Sequence, residues 1–305
     1  MHEITVAPGE SIAAAIRSLP SEGEALVRLL PGEYREKLEL ERPRTRITGA
    51  SPELTRIVWD DCANAIHPAD GLEYNTFRTA TLRVTADGAA LENLCVENSR
   101  ADPEKNGQCV ALYVYGDGFL ARGCRFASTQ DTLFCGPLPD DLVVRYQDFL
   151  PDAARYREGD LRQRFENCEI LGSVDFIFGC ADAVFHKCRV VSVFDGRDTG
   201  FVCAPAHSLK QKNGFLFADC DFSDGGVSAG SVFLARPWRD FGKASFVGCR
   251  LDRHISPALF DRWNDTERFR TARFEFCGFS GAETFPVAWS KALSRAEAQK
   301  LLSRV

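Results

Sequence analysis

Short stretches in which apolar and polar residues alternate recur along most of this chain. The clearest is Phe165-Glu166-Asn167-Cys168-Glu169-Ile170, which puts alternate side chains on one face, as a strand does when that face lies on a core. Related units are Leu94-Cys95-Val96, Gly123-Cys124-Arg125-Phe126, Lys187-Cys188-Arg189-Val190, Asp219-Cys220-Asp221-Phe222, Gly248-Cys249-Arg250-Leu251 and Phe276-Cys277-Gly278-Phe279. A phenylalanine often stands three positions before the cysteine, at Phe165, Phe185, Phe217, Phe246 and Phe274. Successive cysteines of the series are 29, 44, 20, 32, 29 and 28 residues apart. The units lack a 3.6-residue period and are rich in Phe, Val, Cys and Gly, so they read as strands and not as helical repeats. A period of roughly 20–30 residues built from short strands is the mark of a solenoid. Unequal spacing favours an all-β, right-handed parallel β-helix over a propeller, because each coil can carry a loop of its own length.

In chain order, a strand at Ile4–Val6 precedes a helix that Ser11 caps and Pro20 stops, with Ile12, Ile16 and Leu19 on one face. Such a helix suits the open end of a solenoid. Strands are expected at Ala25–Leu30, Arg46–Thr48, Arg56–Trp59, Thr81–Thr85 and Ala90–Glu97, with a turn at Asp87-Gly88. Coils then continue from Cys109 to Cys277, interrupted by a non-strand insertion over Gly136–Asp160 that contains Pro137, Pro139 and Pro151. Ser294-Arg295-Ala296-Glu297 matches a capping box and begins a closing helix. No boundary divides the chain, so residues 1–305 are expected to form a single β-helix domain.

Composition narrows the function classes. A chain of 305 residues with 45% hydrophobic residues can bury a large core. A net charge of −6 with no basic stretch argues against nucleic acid, and no apolar run approaches the ~20 residues of a membrane span. The first residues have neither a basic nor an apolar leader region. Twelve cysteines without C-x2-C spacing or clustered histidines point to buried thiols, seven of them expected at one equivalent interior position, and to no metal. Reduced thiols and the missing leader together suggest a cytoplasmic protein; secretion with the leader removed is the alternative.

Candidate chemistry lies in polar residues inside strand-like segments. Asp175 sits in Val174-Asp175-Phe176-Ile177-Phe178-Gly179, where a carboxylate is costly unless it is paired or functional. Gln108 precedes Cys109-Val110-Ala111-Leu112, Gln130-Asp131 precedes Thr132-Leu133-Phe134, and Arg236 with Trp238 lies in Leu234-Ala235-Arg236-Pro237-Trp238. The 44 positions from Asp131 to Asp175 read as about two coils including the insertion. On successive coils these groups could share one outward face. The five histidines are scattered. Gly226-Val227-Ser228-Ala229-Gly230 matches a nucleophile elbow in letters only, because a strand and not a helix follows it.

These segments carry a family resemblance. The chain resembles the pectin methylesterases: Pro31-Gly32-Glu33-Tyr34-Arg35-Glu36 is similar to that family's G-x-Y-x-E, and Gly107-Gln108-Cys109-Val110-Ala111-Leu112 to its G-x-Q-A-V-A-L. Cys124 through Phe134 resembles C-x-F-x-G-x-Q-D-T-L-Y, Val174–Gly179 is V-D-F-I-F-G unchanged, and Leu234–Trp238 resembles L-G-R-P-W. The resemblance implies a parallel β-helix esterase acting on methylated homogalacturonan or its oligomers; the chemistry needs no cofactor, and a monomer is expected. It implies Asp175 as nucleophile, Asp131 as general acid then base, Gln108 and Gln130 as the oxyanion hole, and Arg236 as the group holding Asp175 ionised. Trp238, Phe178, Phe134 and Val174 would line the sugar site. Ala235, Cys180, Cys109 and Phe134 replace the family's Gly, Asn, Ala and Tyr, and none of these changes removes a catalytic group.

The proposed roles are chemically coherent. Two side-chain amides can donate to a tetrahedral oxyanion, and of two close carboxyls one keeps its proton. A β-helix lyase or hydrolase, or a non-catalytic carbohydrate-binding solenoid, is the alternative. The insertion separates Phe134 from Arg162 by 27 residues and carries Leu138, Leu142, Val143, Val144, Tyr146, Phe149, Leu150 and Tyr156. So many apolar groups predict packing along the cleft as a wall, which suits short oligomers better than polymer.

Overall fold

A computed structural model describes residues 1–100, 103–146 and 160–305. The chain winds as a right-handed parallel β-helix, and among the described residues its strands build three parallel sheets of 11, 9 and 7 strands. The central coil illustrates the repeat. Arg162–Glu166 lies in the eleven-stranded sheet, Glu169–Gly172 in the nine-stranded one and Val174–Gly179 in the seven-stranded one, before Asp182–His186 returns to the first.

The corner between the first two sheets explains the repeating motif. One residue there turns left-handed: Asn93, Asn167, Lys187 and Asp219 have φ of 52–53°, and Gly123, Gly248 and Gly278 have φ of 59–70°. Gly, Asn and Asp enter that region at least cost, which accounts for the residue type in all but Lys187. The next side chain points into the core. Arg125, Glu169, Arg189, Asp221 and Arg250 pair in register, so the residues just before them, Cys124, Cys168, Cys188, Cys220 and Cys249, form one column. Cys95 does not belong to that column. It pairs with Arg125 itself, so Leu94 takes the core position in that coil. Cys277 pairs with Val247, two places ahead of Cys249, and the whole Phe274–Cys277 unit is displaced with it. Five equivalent thiols are therefore present where the spacing suggested seven. They are small enough for the corner and still donate, Cys188 to the carbonyl of Phe165 at 3.3 Å and Cys220 to that of Phe185 at 3.2 Å. Beside them Phe165, Phe185, Phe217 and Phe246 stack face to face with centroids 4.8, 4.6 and 4.8 Å apart, the spacing of parallel strands.

Strand expectations hold, with one division: Ala90–Glu97 is two strands, Ala90–Glu92 and Cys95–Asn98, bent at Asn93. The helix Ile12–Ser18 buries Ile12 and Ile16 against the first coils, and its amides Ile12 and Ala13 donate to the Glu36 carboxylate at 2.7 and 3.1 Å. The helix Arg295–Leu302 has the expected capping box of Ser294 and Glu297. Expected to close the solenoid, it lies instead along the outside of the eleven-stranded sheet, where Ala298 packs with Val184, Leu216, Ala218 and Val247.

The described part of the insertion contains a short helix, Asp140–Arg145. Leu138, Leu142 and Val143 are buried on the outer face of the seven-stranded sheet, against Phe77, Tyr113, Phe134 and Phe178, while Val144 is exposed. Phe149, Leu150 and Tyr156 lie outside the described residues. No helix of the described residues is long and apolar enough to cross a membrane.

Candidate active site

The seven-stranded sheet aligns the carboxylates. Leu133 pairs with Ile177 and Phe134 with Phe178 on adjacent coils, so the residues two places earlier, Asp131 and Asp175, stand opposite each other. The separation of 44 positions amounts to one coil lengthened by the insertion, and not to two. Asp175 escapes the core through a bulge: Val174 pairs with Phe201 and Ile177 with Cys203, leaving Asp175 and Phe176 to face the single residue Val202. Phe176 fills the core, and Asp175 turns outward with φ of 49°. Asp131 is left-handed as well, with φ of 62°. Asp and Asn are the non-glycine residues best able to tolerate that conformation.

Arg236 follows the strand Val232–Ala235 and grips Asp175 with both arms, Nε 2.8 Å from Oδ1 and Nη2 2.6 Å from Oδ2. Its guanidinium lies between the Phe201 and Trp263 rings, 3.7 and 4.2 Å from their centroids. The two aromatic faces restrict the guanidinium to one plane. Burial pushes both carboxyls up. Asp131 rises well above its ordinary value because the charge of Asp175 adds to burial, whereas the bonds from Arg236 oppose the rise at Asp175. The environment thus favours the charge on Asp175 and the proton on Asp131.

Around them opens a cleft of about 250 Å³ lined by Gln108, Gln130, Asp131, Asp175, Phe178, Arg236 and Trp238. Tyr146, one of the insertion residues expected along the cleft, completes the lining with Thr76, Phe77, Ala204 and Trp263, which no motif of the sequence marked. Only Trp263, a lone aromatic among charges in Asp261-Arg262-Trp263-Asn264-Asp265, carried a signal. Phe178 meets Trp238 edge-on at 5.8 Å, and Tyr146 of the insertion meets Phe77 at 5.1 Å. Phe134 and Val174, expected to line the cleft, lie behind it. Phe134 is fully buried, 5.2 Å from Phe77 and 5.1 Å from Phe178, so it backs the rings that face the cleft, and Val174 is buried in its strand. A hollow of about 460 Å³ on the eleven-stranded sheet is larger, yet its arginines are engaged: Arg162 with Asp117, Arg304 with Asp182, and Arg164 with the Arg304 carbonyl. Its two carboxylates, Glu166 and Asp182, are each paired with an arginine, Arg122 and Arg304.

An ionised carboxylate fixed by a bidentate arginine, a protonated one beside it and two amides at the rim suit acyl transfer through an oxyanion. Comparison with known proteins agrees. The sequence profile of the Pectinesterase family matches residues 6–137 and 143–301. Pectinesterase 31 of Arabidopsis thaliana is 30% identical over 94% of this chain and 85% of its own length, and Pectinesterase QRT1 of the same plant is 30% identical over 96% and 73%. Among solved structures, pectin methylesterase PemA from Erwinia chrysanthemi superposes with a TM-score of 0.80 at 23% identity, covering 98% of this chain and 95% of that one. The carrot pectin methylesterase does so with a TM-score of 0.80 at 22% identity, covering 96% and 89%. A profile matched over nearly the whole length, on the fold that brings these two aspartates together, places the chain in the pectinesterase family of carboxylic ester hydrolases.

Proposed function

We propose that this protein hydrolyses the C6 methyl esters of galacturonan to free carboxylate and methanol, with Asp175 as nucleophile. The observation that carries the reading is the asymmetry of the pair: Arg236 is bonded to Asp175, while Asp131 is buried beside that charge. The Asp175 carboxylate adds to the ester carbonyl carbon, and Gln108 and Gln130 donate to the oxygen that becomes negative. Collapse breaks the bond to the methoxy oxygen, which takes the Asp131 proton and leaves as methanol. The anhydride that remains joins the sugar to Asp175. Asp131, now a carboxylate, takes a proton from water as the water attacks the sugar carbonyl. The products are a galacturonate carboxyl and Asp175 as it began. Every proton moved comes from Asp131 or water, so the cycle closes on the chain's own groups.

Short, partly methylated oligogalacturonides suit the cleft better than long pectin, because the insertion stands along it with Tyr146 at its edge. One structurally similar protein is a pectin methylesterase in complex with a hexasaccharide, with a TM-score of 0.78 at 24% identity over 95% of this chain and 90% of that one. The twelve free thiols further support work in a reducing, cytoplasmic compartment. Methanol release from methylated oligomers and polymer tests the activity. Wild-type protein should release methanol and Asp175→Asn should not, since an amide is a far weaker nucleophile than a carboxylate. Undiminished release by Asp175→Asn would remove Asp175 from the mechanism.

A further inference from the structure

Gln130 has a neighbour that the mechanism above does not use. Between the strands Arg189–Val193 and Gly200–Pro205 a short loop carries Asp195, Gly196 and Arg197. Arg197 Nη1 donates to Gln130 Oε1 at 2.8 Å. The rest of the guanidinium is occupied: Nε lies 3.0 and 3.2 Å from the two oxygens of Asp195, and Nη2 bonds to Asp195 and to Ser173 Oγ, the latter at 3.3 Å. Ser173 Oγ donates in turn to Asp195, whose carboxylate also accepts the Arg197 backbone amide at 3.1 Å. The Asp195 side chain is only 2% exposed. Burial raises its carboxyl, but the bonds from Arg197 and Ser173 outweigh burial and keep it ionised below its ordinary value. Gly196 supplies the positive φ, 97°, that lets the loop fold Arg197 back onto Asp195. One end of this network is anchored two residues before the nucleophile.

The consequence follows from the donor inventory. An arginine has five N–H donors and no acceptor, so the group it meets on a carboxamide must be the oxygen. With the Gln130 oxygen held by Arg197, its NH₂ turns to the other side, toward Asp131, where the ester oxygen would develop charge. An unrestrained amide could flip and present its oxygen to an oxyanion, which would repel it. We infer that Arg197, itself fixed by Asp195 and Ser173, is a positioning residue that locks the Gln130 amide in the donor orientation of the oxyanion hole. The inference rests on the esterase reading and adds to it the group that decides which way one catalytic donor faces.

A double-mutant cycle separates this role from simple bracing of the loop. Methanol release from a methylated oligogalacturonide is measured for wild type, Arg197→Ala, Arg197→Lys, Gln130→Ala and the double variant Gln130→Ala/Arg197→Ala. Each is taken at its own pH optimum, because removing a positive charge near Asp131 and Asp175 also moves the pH profile. Loss of one oxyanion donor costs on the order of 10²-fold in kcat, so Arg197→Ala should cost on the order of 10-fold in kcat with KM nearly unchanged. Arg197→Lys, which keeps a donor, should recover part of it. In the Gln130→Ala background Arg197→Ala should cost less than about twofold, because no amide is left to orient. An unchanged kcat in Arg197→Ala would overturn the inference. So would an equal loss in both backgrounds, which would mark Arg197 as a structural brace. Wild-type protein that releases no methanol would instead overturn the esterase reading, and this role with it.

Discussion

Asp131 and Asp175 occupy the same register on neighbouring coils, and both hold left-handed backbones, with φ of 62° and 49°. Each conformation costs roughly 1 kcal/mol or more for a residue with a Cβ. Asn93, Asn167, Lys187 and Asp219 hold the same conformation at the coil corners, where the turn requires it; at Asp131 and Asp175 it falls on two opposed carboxyls, a cost that stability alone does not justify.

Activity and stability should therefore diverge in Asp131→Asn. Turnover falls by several orders of magnitude, because the proton for methanol and the base for water are lost together. The folded value of Asp131 lies well above its ordinary 3.8. The native state thus binds this proton more tightly than the unfolded chain does, and the stability it contributes is lost as pH rises through the folded value. Asparagine tolerates the same backbone and never ionises. The variant should melt at a higher temperature than wild type in mildly alkaline buffer, with the difference shrinking toward pH 4. Thermal melts across that range check it, and a constant difference would contradict the assignment.

Removing the grip on Asp175 should shift its titration. Arg236→Ala leaves a buried carboxylate without its partner, so the acidic limb of kcat/KM against pH should move upward and the plateau fall by at least ~10²-fold. Arg236→Lys should recover little. A lysine can neither bond to both oxygens nor fill the sandwich between Phe201 and Trp263. A pH–rate profile whose acidic limb stays in place would show that another group holds Asp175 ionised.

The insertion should act on substrate length. Replacing residues 137–159 with a short Gly-Ser link removes Tyr146 from the cleft and uncovers Phe77, Phe134 and Phe178. Activity on polymer relative to oligomer should rise in a variant that still folds. An unchanged ratio would mean that the insertion covers apolar surface without selecting substrate.

Thiol titration under denaturing, non-reducing conditions should find nearly all twelve cysteines free. The column of Cys124, Cys168, Cys188, Cys220 and Cys249 makes this informative, because stacked thiols on neighbouring strands lie within reach of one another. A count of four or fewer would refute a reduced working state.

Periodicity made the solenoid legible, because each coil repeats the same corner and the same inward residue. It could not separate Cys95 and Cys277 from the true column, since a shift of one or two residues in a strand leaves the local letters almost unchanged while moving the side chain. The polar residues of the cleft stood out because Gln108, Asp131, Asp175 and Arg236 conflict with the apolar, strand-like segments in or beside which they stand. Phe77, Tyr146 and Arg197 produced no such conflict. A lone aromatic among polar residues or an arginine in a loop is ordinary; the winding of the coils brings Phe77 and Arg197 to the cleft, and Tyr146 was legible only as one apolar group of the insertion. The same limit explains Phe134: the motif marks the strand correctly, but burial by the insertion decides that its ring backs the cleft.

Paired strands hold Asp131 opposite Asp175 through hydrogen bonds between adjacent coils, and these bonds take no account of how much chain runs between the two residues. The connecting length is therefore a free variable. Gene segments can be added to or cut from the stretch after Cys135 while both carboxyls keep their places, so substrate preference can evolve without disturbing the reaction. In this chain the length of that link is a detachable accessory, and the placing of the two carboxyls belongs to the winding.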